Sequence, residues 1–300
     1  MKRARVLVLG GTKFVGLELV KRMVESEKYE ITVASRRQVD FIRNNIAIDR
    51  KNQDQLEQLF KSQSFDVVID FISFSYPDAR KLLRAMEMSQ TKKPYLIVVS
   101  STYVYGNPAE LTLSKTYQEE AFEPLTYEYS TLDRPEADYF IGKRSMESFI
   151  VRNYDNYVLV RYPIILGLND YTGRTTYFST LIKERKAIQL DSKSGVSNFI
   201  FVKEAADLLM YLLESRLKGI YNCSFDECLN EFDLLSLYAE FYKVDLAEIV
   251  STQGQLIKTP FYYRKDFIID NTKVKKVFTL NATFKESLYR ELLLINRHNF

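Results

Sequence analysis

The stretch RVLVLGGTKFVGLELV, Arg5–Val20, decides the fold. Val6–Leu9 is a short, continuously apolar run, the pattern of a strand buried on both faces. Gly10 and Gly11 end it. Phe14, Val15, Leu17, Val20 and Met23 then recur with the period of a helix that buries one face. Strand, glycine turn and helix in this order aim the free N–H groups and positive dipole end of the helix at whatever lies beyond the strand. Gly10 permits a tight turn, and Gly16 lets the helix approach the strand. The irregular position is Lys13, which stands where a dinucleotide-binding turn carries its middle glycine.

The end of the second strand tests this reading. An NAD site places a carboxylate there for the ribose 2′-hydroxyl, whereas an NADP site places cations for the 2′-phosphate. The chain reads ITVASRRQ, Ile31–Gln38. Ser35 leaves no carboxylate to repel a phosphate, and Arg36 and Arg37 could grip it through paired N–H donors. The expected cofactor is NADP(H) rather than NAD(H).

Strand-like runs continue at Glu30–Ser35, Ile46–Ile48, Asp66–Ile72, Tyr95–Ser100 and Tyr157–Tyr162, with helical patterns between most of them. Short apolar strands alternating with helices predict a doubly wound parallel α/β sheet of the Rossmann type, with ligands at the carboxyl ends of the strands. Residues 1–165 are expected to form this dinucleotide-binding domain. From 166 to 300 helical patterns dominate, at Tyr177–Lys186, Phe232–Tyr242 and Phe284–Leu294. They predict a smaller α/β substrate-binding lobe. The chain is expected to cross back around 195–225, where the strand-like pieces Asn198–Val202 and Gly219–Ser224 flank a helical Glu204–Ser215. Between Ser101 and Tyr139 lie 37 residues of weak periodicity, and Pro108–Asp138 holds eight acidic residues against two basic ones. This stretch reads equally as a solvated insertion or as a lid.

Reducing a carbonyl with a nicotinamide requires a proton donor beside the reacting carbon, and a tyrosine serves when an ammonium stands near it. YFIGK places Tyr139 and Lys143 four residues apart, on one face of a helix. That helix lies between the fifth and sixth strands. The fifth strand runs into VVSSTYVYG, which puts serine hydroxyls at the ligand-binding edge.

With these pieces in order, the chain resembles the extended short-chain dehydrogenase/reductases, the NAD(P)-dependent epimerase/dehydratase family. GGTKFVG, Asp49 after the third strand, SSTYVYG, YFIGK, RYPIILG, NFIFVKEAA and RKDFIIDNTK follow the family's order across most of the chain. The resemblance implies Ser101 as the catalytic hydroxyl, Tyr139 as acid/base, and Lys143 as the residue that binds the nicotinamide ribose and tunes Tyr139. It implies Asp49 against adenine, with Arg50 beside it, and Tyr162, Pro163 and Ile165 along the nicotinamide. Thr12, Phe14 and Val15 would complete the turn, and Phe71 and Ser100 would face the cofactor. Ser101 and Thr102 would face the substrate. No metal is implied. Members of the family often dimerise through the helix that carries Tyr-x-x-x-Lys, so a homodimer is expected.

The sequence also departs from the family pattern. Lys13 replaces a glycine, and the fourth strand ends in Asp70, Phe71 and Ile72 where small residues are usual. Both features resemble an atypical branch near the chloroplast stem-loop RNA-binding proteins. Thr102 and Tyr103 replace the Asp-Glu pair of the sugar 4,6-dehydratases, which argues against that elimination. Ser197 and Ile164 stand where nucleotide-sugar epimerases carry an arginine and an asparagine against their substrate, leaving Arg174 and Arg264 as candidate anion binders.

Composition narrows the partners. The net charge of +3 is spread along the chain without a basic block, which argues against nucleic acid. The basic, then apolar N-terminus ends at the glycine turn and reads as a first strand rather than a leader. No apolar run approaches the ~20 residues that span a membrane. Two cysteines, Cys223 and Cys228, and a single histidine, His298, offer neither a disulfide framework nor a metal site, and point to a reducing cytoplasm. The expected activity is hydride transfer between a nicotinamide and the carbinol or carbonyl carbon of a small sugar-like substrate, as a reductase or an epimerase. The alternative is a non-catalytic, NAD(P)-binding regulatory or RNA-binding relative of the same fold.

Overall fold

The computed structural model describes residues 3–36, 41–89, 93–131, 138–185, 187–191, 194–251, 255–257 and 259–298. The chain divides into two compact units. The first comprises Met1–Tyr105, Glu119–Tyr162 and Lys203–Asn222.

Seven parallel strands form the sheet of the first unit. In chain order they are β1 (Ala4–Leu9), β2 (Tyr29–Ser35), β3 (Asn44–Ala47), β4 (Val67–Asp70), β5 (Tyr95–Ser101), β6 (Tyr157–Tyr162) and β7 (Gly219–Asn222). Their spatial order is β7-β6-β5-β4-β1-β2-β3. The helices α1 (Phe14–Ser26), α2 (Gln53–Ser62), α3 (Tyr76–Glu87), α4 (Tyr139–Asn153) and α5 (Val202–Ser215) connect them. This is the doubly wound α/β fold that the alternating pattern predicts. Leu7, Leu9, Val68, Leu96, Val98 and Leu159 from the strands pack with Leu56, Leu82, Met146 and Ile150 from the helices in one buried core. Strand order reverses between β1 and β4, whose last residues, Leu9 and Asp70, lie side by side. A crevice at the carboxyl ends of β1 and β4 is where such a sheet takes a ligand.

β4 stops at Asp70, two residues short of the apolar run that predicts it. The Asp70 carboxylate accepts the N–H groups of Ile72 (2.8 Å) and Ser73 (3.0 Å). A side chain that satisfies the amides two and three residues on turns the chain out of the sheet.

A buried ion pair fastens α4 to the sheet. Glu147 and Arg161 are both fully inaccessible to solvent. Arg161 Nε lies 3.1 Å from each Glu147 oxygen, and Nη2 donates to Oε2 at 2.6 Å. Its remaining donors reach the Tyr105 hydroxyl (3.0 Å) and the carbonyls of Glu119 (2.7 Å) and Phe122 (3.2 Å). All five guanidinium N–H groups thus have acceptors. Burial opposes the charge on Arg161, but the Glu147 carboxylate outweighs it and holds the guanidinium above its ordinary value. Burial also pushes the Tyr105 phenol up to about 12, so its hydroxyl stays a donor to Asn222 Oδ1 (2.6 Å) on β7.

Part of the acidic stretch, residues 122–127, is held to α4. The Arg144 guanidinium on α4 faces the rings of Phe122 (5.2 Å), Tyr127 (5.7 Å) and Phe140 (5.3 Å). Arg152, two turns on, donates to the carbonyls of Leu125 (2.9 Å) and Tyr127 (2.7 Å).

The second unit comprises Gly106–Gln118, Pro163–Val202 and Cys223–Phe300. It holds two-stranded parallel pairs, such as Ile164–Leu166 with Phe199–Phe201 and Lys115–Tyr117 with Phe267–Ile269. The helices Arg174–Lys183, Glu231–Tyr242 and Phe284–His298 accompany them. Phe178, Phe199, Phe201, Phe261 and Phe284 form its aromatic core, with Phe178 and Phe261 stacked at 5.3 Å. Among the described residues, no helix is long and apolar enough to cross a membrane.

Removing one partner of a buried ion pair strands the other charge. Arg161→Met is therefore expected to destabilise the protein by about 3–5 kcal/mol, read as a lower denaturation midpoint in urea. The double variant Arg161→Met/Glu147→Leu is expected to recover part of that loss.

Candidate active site

The β1–α1 turn shows why each glycine stands where it does. Gly10 has φ +88°, and a Cβ there would lie 2.8 Å from Ile72 Cγ1. A Cβ on Gly11 would meet Val8 Cγ1 at 2.7 Å, and one on Gly16 would meet Gly11 Cα at 3.0 Å and the Gly10 carbonyl at 3.1 Å. Lys13 is different. It is the exposed N-cap residue of α1 and has extended backbone, with φ −146°. Any residue adopts that conformation, so a lysine takes the place of the middle glycine without strain. The unusual torsion falls instead on Phe14, a bulky residue at φ +46°. Backbone held in that region by its surroundings clusters at binding sites.

The turn fits a dinucleotide pyrophosphate. No N-cap side-chain hydrogen bond is made at α1 and no acidic residue lies in its first turn, so no carboxylate there offsets the positive end of the helix. Thr12 is half-buried and Val15 is buried beneath the turn. Phe71 packs at its floor, its Cδ2 3.4 Å from where a Gly16 Cβ would be. Ser35 ends β2 as a buried residue and Arg36 beside it is exposed. Arg37 lies outside the described residues. Asp49 is exposed beyond β3, its carboxylate accepting the Lys51 N–H at 3.0 Å.

Tyr139 is the first residue of α4, and 48% of it is exposed. Its ring lies between two others, Phe74 at 5.6 Å and Tyr103 edge-on at 5.7 Å. Lys143, one turn along, is buried. Its Nζ sits 6.0 Å from the Tyr139 ring centroid and donates to the carbonyls of Ser73 (2.9 Å) and Val99 (3.1 Å). These contacts use two of the three ammonium donors. Ser101 ends β5, with its Oγ accepting the Tyr103 N–H at 3.2 Å. Tyr139 and Ser101 thus both meet Tyr103, and Lys143 lies beside the Tyr139 ring; Phe74, which also packs on Tyr139, is a residue that the sequence does not single out. Thr102 is buried, and its hydroxyl has no partner among the described residues.

Other expected site residues have different contacts. The Ser100 hydroxyl donates to Glu147, and the buried Tyr162 hydroxyl donates to the Ala205 carbonyl at 2.8 Å. Arg50 is buried, with Nη1 3.1 Å and 3.2 Å from the two Asp70 oxygens. The rest lie in the second unit. There Pro163 is buried, Ile165 is half-buried within Ile164–Leu166, Arg174 begins its helix, and Arg264 is exposed.

Residues 6–224 match the family described as the NAD dependent epimerase/dehydratase family. The chain belongs to that family. Among solved structures it is similar to dTDP-glucose 4,6-dehydratase from Bacillus anthracis in complex with NAD, at 17% identity and TM-score 0.77, covering 99% of this chain and 97% of that one. It is similar to UDP-glucose 4-epimerase from Thermotoga maritima with UDP-glucose, at 18% identity and TM-score 0.74, covering 99% and 100%. A third likeness is dTDP-4-dehydrorhamnose reductase from Bacillus anthracis in complex with NADP, at 13% identity and TM-score 0.66, covering 98% and 99%. At these identities the likeness is one of fold. No curated protein matches the chain in sequence.

In this epimerase/dehydratase fold the carboxylate at the end of β4 is charged. Burial pushes Asp70 up, but the Arg50 guanidinium and hydrogen bonds from Ser73 and Ile72 outweigh it and hold the carboxyl below its ordinary value of 3.8. A lowered value in the folded state means that the unfolded chain binds the proton more readily, so this stability is present above about pH 4 and is lost on acidification. Asp70→Asn removes that dependence. The stability gap between the native protein and the variant is expected to narrow below about pH 4 in urea titrations run from pH 3 to 7.

Proposed function

We propose that this chain is an NADP-preferring oxidoreductase or epimerase for a small sugar-like or carbonyl substrate. The observation that carries the reading is Tyr139, held half-exposed between Phe74 and Tyr103 with the Lys143 ammonium 6.0 Å from its ring centroid. A bound nicotinamide supplies a two-electron acceptor or donor of hydride at a carbinol carbon. The protein's own part is the proton. Tyr139 takes it from the substrate hydroxyl on oxidation and returns it on reduction. Lys143, with one ammonium donor beyond its two carbonyls, holds the ribose and Tyr139 in register. Ser101 hydrogen-bonds the substrate oxygen. The turn of Gly10, Gly11 and Gly16 takes the pyrophosphate, and Arg36 with Lys13 takes the 2′-phosphate.

The site's departures bear on the substrate. Ser197 is fully buried, and its hydroxyl donates to the Phe267 carbonyl at 2.8 Å. That position serves the packing of the second unit and has no cation to offer a diphosphate. Thr102 and Tyr103 carry no carboxylate for water elimination. Both facts favour simple redox or epimerisation of a substrate without a nucleoside diphosphate.

Fluorescence titration of the purified protein is expected to show NADPH bound at least about 10-fold more tightly than NADH, with Arg36→Ala removing most of that ratio. Tighter binding of NADH defeats the cofactor preference. In a panel of sugars and small carbonyls followed at the nicotinamide absorbance, Tyr139→Phe is expected to lower turnover by ~10²–10⁴-fold with cofactor affinity nearly unchanged. A Tyr139→Phe variant that retains turnover overturns the assignment.

A further inference from the structure

Asp70 is the residue that the family pattern leaves unexplained, and the structure gives it work to do. The chain between β4 and α3 runs over five consecutive amides, and a side chain accepts each of them. Asp70 Oδ1 takes the N–H groups of Ile72 (2.8 Å) and Ser73 (3.0 Å). Asp78 Oδ2 takes those of Phe74 (3.0 Å) and Ser75 (3.3 Å). Ser145 Oγ, on α4, takes that of Tyr76 at 3.0 Å. Arg50 ties the two acidic residues together. Its Nη1 reaches both Asp70 oxygens and the Ser73 hydroxyl (2.9 Å), and its Nη2 donates to the Asp78 carbonyl at 3.0 Å. The Ser73 hydroxyl in turn donates to Asp70. Asp70 and Arg50 are both buried, so water does not compete with these bonds.

The turn presents two groups to α4. The Ser73 carbonyl accepts from Lys143 Nζ at 2.9 Å. The Phe74 ring lies against Tyr139 and packs on Gly142, where a Cβ would stand 2.7 Å from Phe74 Cζ. One turn therefore touches both residues of the Tyr-x-x-x-Lys pair.

We infer that Asp70, charge-paired with Arg50, is a positioning residue that sets Lys143 and Tyr139 through the Ile72–Ser75 turn. Asp70 holds the Ser73 N–H and hydroxyl, Asp78 accepts the Phe74 N–H that shares a peptide plane with the Ser73 carbonyl, and Arg50 joins the two acids, so Asp70 sets the direction of that carbonyl together with Asp78. That carbonyl aims the ammonium and leaves its third donor for the cofactor ribose. The inference rests on the reading that Lys143 holds the ribose.

NADPH binding to the full chain tests it, by fluorescence titration of Asp70→Asn, Lys143→Met and the double variant. Each single change is expected to weaken NADPH by about 5- to 10-fold, and the double variant to bind within about 2-fold of Lys143→Met, because both act through one ammonium. Losses that multiply in the double variant show that Asp70 acts elsewhere and overturn the inference, with the role of Lys143 intact. An unchanged affinity in Lys143→Met defeats the ribose reading itself and this inference with it. Ser73→Ala keeps the carbonyl but removes the hydroxyl shared by Asp70 and Arg50, and it covers the case in which Asp70→Asn does not fold. It is expected to weaken NADPH about 2- to 3-fold in the native background and not at all in Lys143→Met. An equal loss in both backgrounds is the overturning result.

Discussion

The Glu147–Arg161 ion pair fixes how α4 lies on the sheet, and the arrangement of the site depends on that. Tyr139, Lys143 and Glu147 follow one another at four-residue spacing, so they share a face of the helix. Anchoring Glu147 to a guanidinium in the sixth strand fixes the rotation of α4 about its own axis. The desolvation of two fully buried charges offsets much of their attraction, so the pair is weak evidence of net stability. What it supplies is a single orientation. All five guanidinium donors are engaged, by two Glu147 oxygens, a tyrosine hydroxyl and two carbonyls, and a rotated helix would leave some of them buried without an acceptor.

The opposite end of α4 is held differently. There the contacts are made by the turn that follows the fourth strand, through the Ser73 carbonyl, the Phe74 ring and the Tyr76 amide. Ion pair and turn act on the same helix from two strands of one sheet. Lys143 lies between them, with a carbonyl from each side of its own position, Ser73 after β4 and Val99 in β5. A side chain with about 2 kcal/mol of rotamer entropy to lose is thus ordered by backbone groups that are themselves fixed. Half-exposed Tyr139 keeps a face toward solvent while its ring position is set by Phe74 and Tyr103.

Most of the sheet was legible because its signals are local. Apolar runs of strand length and a 3.6-residue period place β1, β2, β5, β6 and helices such as α1, α4 and α5 within a few residues of where they lie. The glycine turn was legible for the same reason, and so was the Tyr139–Lys143 spacing. The rest was hidden because it depends on contacts distant in sequence. Nothing near Asp70 announces Arg50, twenty residues earlier, as its partner. Asp66–Ile72 reads as one strand until the Asp70 carboxylate is seen to accept the amides of Ile72 and Ser73. Phe74 looks like any other aromatic in a chain with 41 phenylalanines and tyrosines. Arg50, adjacent to Asp49, is expected beside the cofactor from the sequence alone, and nothing in the sequence shows that its guanidinium reaches Asp70, Ser73 and the Asp78 carbonyl.

The departures from the family pattern, taken singly, look like separate losses. The structure relates them to one another. Arg50 and Asp70 are two halves of one buried pair, and either alone would leave a charge uncompensated. Phe71 and Ile72, bulky where small residues are usual, press on the β1–α1 turn at Gly10 and Gly16. With Ile72 Cγ1 2.8 Å from any Cβ at position 10, the first glycine is required by its neighbour as well as by its torsion. The middle glycine is under neither constraint. The backbone at that position is extended and the residue is exposed, so the position admits a cation, and it holds Lys13. The glycines kept each answer to a close neighbour, Ile72 at Gly10, Val8 at Gly11 and the Gly10–Gly11 backbone at Gly16, whereas the extended, exposed position 13 requires no glycine.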